Sequence, residues 1–287
     1  MTIRTVRLPF VASLVLLLSA SAASATAIYI ESGGANLYVV NSDTAVSTLV
    51  GPFGFPNILS QAFSPDGTLY AFVRGSNAAL AQLARVNLNT GVATLIGAPA
   101  GVPVQAMAFG PDGTLYAANF SANNFYRINL STGAATFVGA LGFAGIMDLD
   151  WDPANNTMYA IASLPGCVGS SSSLYSINLA TGAGTLVTAI PGDNCLMALT
   201  VDPANRLLAT GFDSALLYQI NPATGNLTTI GNTGLIATMG AAALPTPEPS
   251  SFLLFGTGLT GLVGIVRRRW ASRRGCDLAN SCKSIRN

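Results

Sequence analysis

The stretch that most limits what this chain can fold into is Ala106 to Gly139, AMAFGPDGTLYAANFSANNFYRINLSTGAATFVG, because recognisable copies of it return along most of the sequence. Four short apolar runs lie within it. The first, Ala106 to Phe109, ends at Gly110-Pro111-Asp112-Gly113, where proline sets the first corner of a turn and glycine takes a positive-φ position. The second, Thr114 to Ala118, passes through Asn119 to Asn124 into a third, Phe125 to Asn129, with the alternation and aromatic content of a strand. Leu130-Ser-Thr-Gly133 then supplies another turn before the fourth run, Ala134 to Val138. Nothing in the unit has helical period, so it predicts four antiparallel strands that cannot bury both faces alone.

The copies are anchored on two residues. First-turn prolines occur at Pro65, Pro111, Pro153 and Pro203, and the asparagine ending the third run recurs at Asn41, Asn87, Asn129, Asn178 and Asn221. Both series are spaced by 42 to 50 residues, a period that with four strands per copy predicts a β-propeller. The expected fold is therefore all-β, a five-bladed β-propeller of four-stranded antiparallel blades over residues 28–244. The first copy lacks its opening strand and starts at Ala27-Ile-Tyr-Ile30, while a surplus opening strand, Thr238 to Pro245, follows the last copy. These two are expected to pair, building the first blade from both ends and leaving the ring no open edge.

Charge is segregated along the chain. Between Glu31 and Leu244 there are ten acids against four arginines, a net charge of −6, while the basic residues gather at the ends. With no His in the chain and no Lys before Lys283, nucleic acid is excluded as a partner, since phosphate neutralisation needs a basic surface. Residues 1–27 open with Arg4 and Arg7, continue with the apolar Leu8 to Leu18 and end in small residues. That is the pattern of a secretory signal, with cleavage expected after Ala25 or Ala27; the alternative is an uncleaved N-terminal anchor.

Beyond Leu244 the composition changes abruptly. Residues 245–251 form a proline-rich linker containing Pro247-Glu248-Pro249, residues 252–266 are apolar, and residues 267–287 begin with Arg267-Arg268-Arg269. This order resembles the PEP-CTERM sorting signal of Gram-negative bacteria that make extracellular polysaccharide. The resemblance implies that a membrane protease of the exosortase type recognises Pro247, Glu248 and Pro249, with Arg267, Arg268 and Arg269 as the cytoplasmic stop. It also implies delivery to the cell envelope or beyond, transient anchoring by the C-terminal helix, and a link to extracellular polysaccharide. Fifteen helical residues reach about 22 Å against a hydrocarbon core of about 30 Å, which makes a poor permanent anchor. A simple C-terminal anchor is the alternative, and the continuation from Trp270 to Asn287 departs from the usual short family tail.

Two constellations within the repeats stand out. Cys167 and Cys195 fall on the same face of the expected ring, and in an oxidising compartment they predict a disulfide between the fourth and fifth blades, worth about 3–4 kcal/mol. Asp148-Leu-Asp150-Trp-Asp152 puts three carboxylates on one face of an opening strand. The positions matching Asp148 and Asp150 hold Ser60 and Ala62, Ala106 and Ala108, Ala198 and Thr200 in other copies. One reading is a metal site at Asp148 and Asp150, with Ca²⁺ as the natural hard cation; no other cofactor is expected. The other is that Asp148 and Asp150 meet backbone amides or water while Asp152 caps a turn. With neither His nor Lys in the domain, the chain is expected to be a non-catalytic binding or structural module, the alternative being a polysaccharide-acting enzyme that uses carboxylates.

Overall fold

The computed structural model of the chain describes residues 27–33, 35–75, 80–163, 171–192 and 195–245. Cys167, the signal segment before Ala27, the motif at Pro247 to Pro249 and everything after it lie outside the described residues. Within them the fold is the expected ring: five four-stranded antiparallel sheets and no helix. Blade I contains β1 (Ala27–Ser32), β2 (Asn36–Asn41) and β3 (Ser47–Pro52). Blade II follows with β4 (Asn57–Phe63), β5 (Leu69–Arg74), β6 (Gln82–Val86) and β7 (Ala93–Pro99). Blade III holds β8 (Ala106–Phe109), β9 (Leu115–Ala118), β10 (Asn124–Ile128) and β11 (Ala135–Ala140). Blade IV holds β12 (Ile146–Asp152), β13 (Thr157–Ala162), β14 (Ser172–Ile177) and β15 (Gly184–Ile190). Blade V holds β16 (Leu196–Val201), β17 (Leu207–Gly211), β18 (Leu216–Ile220) and β19 (Leu227–Asn232).

The last strand, β20 (Ala241–Ala243), returns to blade I and supplies its missing inner strand, pairing Ile28 with Ala243, Tyr29 with Ala242 and Ile30 with Ala241. Leu244 N–H donates to the Ala27 carbonyl at 3.3 Å, so the two ends of the ring meet at one corner. The inner strands β4, β8, β12, β16 and β20 touch in sequence and close on themselves around the axis. Packing there is tight: a Cβ placed on Gly240 would lie 2.9 Å from the Ser60 Cα.

The repeated turn explains the repeated letters. In each of the five copies the asparagine Oδ1 of Asn41, Asn87, Asn129, Asn178 or Asn221 accepts the N–H two residues on. The threonine three residues after each asparagine, in turn, accepts an N–H from the residue two beyond it. These side-chain bonds lock the turn whatever fills its other positions. Blade I has Ala45 where the others have glycine, at φ 60°, a conformation that suits glycine better.

The core is divided as the ring is. Five apolar clusters each lie between two neighbouring blades, the one between blades II and III built around Phe72, Leu83, Met107 and Leu115. Full burial of one such side chain is worth about 1.5–3 kcal/mol, so each blade gains its stability from its neighbours. At the rim, each outer strand carries a register shift beside the turn of the next blade. A Cβ on Gly139 of β11 would fall 1.8 Å from the Thr181 carbonyl oxygen of blade IV, which is why this rim position is glycine. Blade IV departs with Thr188 at the matching place.

The connection from blade I to blade II is short. The segment from Gly51 to Ser60 is strand for most of its length: β3 runs to Pro52 and β4 begins at Asn57. The reason is that β5 extends to Arg74, and its added residues hold Asn57 and Ile58 in register.

Candidate functional site

Among the charged residues that break the rule of the repeat are Asp148, Asp150 and Arg74, and the structure uses the two acids and the arginine oppositely. Asp148 is fully buried on β12 at the axis. Its Oδ2 accepts the N–H of Leu199 on β16 at 2.9 Å and of Ala241 on β20 at 3.3 Å, and its Oδ1 accepts the Ser60 hydroxyl of β4 at 3.0 Å. Ser60 Oγ accepts the N–H of Met107 on β8 at 3.0 Å, so one carboxylate and one hydroxyl join all five inner strands. Two residues on, Asp150 accepts Val201 N–H at 2.7 Å and the Thr200 hydroxyl at 2.9 Å. Strand spacing gives this pair its target. Alternate N–H groups on the free edge of β16 point at β12, and carboxylates at period two supply the acceptors a neighbouring strand would have offered.

Burial pushes the Asp148 carboxyl well above its ordinary value, with the amides of Leu199, Leu149 and Ala241 and the Ser60 hydroxyl pulling the other way. Burial likewise moves Asp150 to about 6, opposed first by the Val201 amide. Asp152 turns away from both, its Oδ1 accepting Ala154 and Asn155 N–H in the following turn. Both axial acids therefore serve N–H and O–H donors, and no three acidic, Cys or His side chains converge as a cation site among the described residues. Both acids meet backbone amides, as one of the two sequence readings expected.

The cationic departure is Arg74, at the end of β5. The register of the blades places Phe120, Ser163 and Phe212 at the matching position in the next three copies. The other three arginines of the described ring are engaged. Arg206 bridges Asp202 at 2.6 Å and Asp43 at 2.8 Å, while Arg85 and Arg127 lie over the rings of Tyr70 and Tyr116. Arg74 has no ion pair or hydrogen-bonded side-chain partner among the described residues.

It faces a cavity of about 120 Å³ between blades II and III on the loop side of the ring. Leu59, Val104 and Phe120 give the cavity apolar surface; Arg74, Gln105, Asn119 and Ser121 give it polar groups, and no acid lines it. Asn119 is 2% exposed; its Oδ1 accepts Ala122 N–H at 2.8 Å, and its NH₂ donates to no described residue. Neither Arg74 nor Gln105 stands out among the motifs of the sequence. The available signal was the one used for Asp148, a charge standing where the other copies have none.

Cys195 is fully buried and its sulfur is bonded rather than free. Its expected partner, Cys167, lies outside the described residues, as do the sorting residues Pro247, Glu248, Pro249, Arg267, Arg268 and Arg269.

Among solved structures, the Nidogen/Laminin complex contains a chain that aligns with a TM-score of 0.55 at 11% identity, covering 77% of this chain and 99% of that one. A structural genomics protein of unknown function from Bacteroides thetaiotaomicron gives 0.48 at 18% identity, covering 72% of this chain and 58% of that one. Virginiamycin B lyase from Staphylococcus aureus gives 0.43 at 16%, covering 72% and 70%. At such identities the first likeness speaks for the fold alone. A search of curated proteins returns no match to this sequence. A PEP-CTERM protein-sorting motif matches residues 245–269, marking the chain for export and envelope sorting in bacteria and for processing by exosortase, a membrane protease. The repeat itself, matched over residues 57–201, makes the chain a member of the family described as Repeat of unknown function (DUF6923).

Proposed function

We propose that this exported propeller is a non-catalytic binding module of the envelope or extracellular matrix, and that it takes its ligand on the loop side between blades II and III. One observation carries this reading. Of the four arginines in the described ring, Arg206, Arg85 and Arg127 are held by acids or aromatic rings, whereas Arg74 faces a cavity with no such partner among the described residues. Rigid strands hold the walls, and connecting segments that differ from blade to blade supply the lining, the usual arrangement of a binding surface. Asp148 and Asp150, the candidates for carboxylate chemistry, point at amides inside the axis, which favours binding over turnover.

The rest of the proposal concerns the address. The producing cell is Gram-negative, the tail anchors the chain transiently through residues 252–266 until the protease acts, and extracellular polysaccharide is the partner class. A Cys167–Cys195 disulfide ties blade IV to blade V in the oxidising compartment. The test is a glycan array together with a hydrolysis assay on the exported protein. Binding without turnover is the expected result; turnover abolished by Asp150→Asn would overturn it in favour of a carboxylate enzyme.

A further inference from the structure

We propose that the cavity at Arg74 recognises a sugar ring bearing a single carboxylate, a uronate unit, with the carboxylate on Arg74 and a ring face against Phe120. This rests on the binding-module reading above and names its ligand class.

The lining dictates the chemistry. Arg74 and the Asn119 NH₂ are donors without partners among the described residues, and no carboxylate stands among the nine lining residues, so the matching ligand is rich in acceptors. A guanidinium presents a planar fork of N–H donors whose geometry matches a carboxylate, and the amide beside it adds a further donor. The number of charges narrows the choice. One unpaired cation in a ring of net charge −6 balances one negative charge, while a phosphate monoester would bring about −1.5 to −2 into an acidic surround.

Surface pattern and size then select the carrier. Phe120, Leu59 and Val104 alternate with Gln105, Asn119 and Ser121, a wall that suits a molecule having both C–H faces and hydroxyl edges. The cavity, about 120 Å³, is well below the about 300–1,000 Å³ of pockets that enclose drug-sized ligands, so it takes one ring and leaves the rest of a chain outside. A terminal or side-branch residue of an acidic glycan has that shape.

The experiment is calorimetric titration of the exported, processed protein with glucuronate, galacturonate, an oligouronate, glucose and acetate. Uronates are expected to bind, with glucose and acetate at least tenfold weaker. Arg74→Ala is expected to weaken uronate binding at least tenfold with an unchanged melting temperature, Arg74→Lys to weaken it less, and added salt to weaken it in the parent protein. Glucose binding as tightly as glucuronate, or uronate binding indifferent to Arg74→Ala, overturns the assignment. Uronates failing while neutral glycans bind and lose affinity on Phe120→Ala would reject the uronate and leave the binding-module reading standing. Turnover of any glycan would overturn both.

Discussion

Asp148 at the axis and Arg74 at the loop-side cavity are the same kind of exception, a charge placed where sister blades have none, yet they end in opposite states. The aspartate gathers donors from β4, β16 and β20 and is fully buried; the arginine has none of its potential acceptors within the described ring. What separates them is whether the fold itself answers the charge. An answered charge is part of the architecture, and an unanswered one is directed at something outside it. The Ser60 hydroxyl sharpens the lesson: it matches Asp148 by register, caps Met107 N–H as Asp148 caps Leu199 N–H, and is structural without being charged.

The comparison can be broken experimentally, most forcefully at the axis. Asp148→Ala leaves the Leu199 and Ala241 amides and the Ser60 hydroxyl without their acceptor, and is expected to cost about 3–5 kcal/mol in urea unfolding. A loss under about 1 kcal/mol would remove the axis from the architecture.

Next comes pH. Asp150 keeps its proton to about 6 when folded, against an ordinary aspartate value of 3.8, so folding takes up a proton between those values. Its contribution is therefore complete below about pH 4 and is lost as pH rises through about 6, and Asp148 shifts in the same direction. Melting is expected to be higher at pH 4.5 than at pH 7, by on the order of 1–3 kcal/mol in stability, and Asp150→Asn should flatten the slope. Stability that rises from pH 4.5 to 7 would contradict this.

The two cation-bearing sites give the finer contrast. Arg206 holds Asp202 of blade V and Ser42 and Asp43 of blade I together across the seam of the ring, and Arg206→Ala should cost about 1–2 kcal/mol, discounted for its partial exposure. Arg74→Ala should change stability by no more than about 0.5 kcal/mol while removing ligand affinity. Equal losses for the two variants in differential scanning calorimetry would erase the distinction between answered and unanswered charge.

The blades, their turns and the pairing of the two ends were legible because each follows from local chemistry repeated at a fixed period. Asn129 and Thr132 fix their turn with bonds to residues two or three positions away, and that is the range over which sequence patterns speak. The target of Asp148 was not legible, since its acceptors serve amides 51 and 93 residues distant. The cavity was hidden for a related reason: Arg74 and Asn119 belong to different blades, and only the angle between the blades brings their side chains to one space. Period two did give the right face for the Asp148 and Asp150 carboxylates, but no pattern says whether a face meets water, a metal or a strand edge.

The corner where Ala27 meets Leu244 has a mechanical consequence. Because β1 leaves from the same end at which β20 arrives, a pull applied between the two termini loads their three residue pairs one after another, as a zip is opened, rather than all at once. The seam of blade I is thus the weak direction of an otherwise hoop-like body, and a cut at Pro247 spares it while one a few residues earlier would spring the hoop.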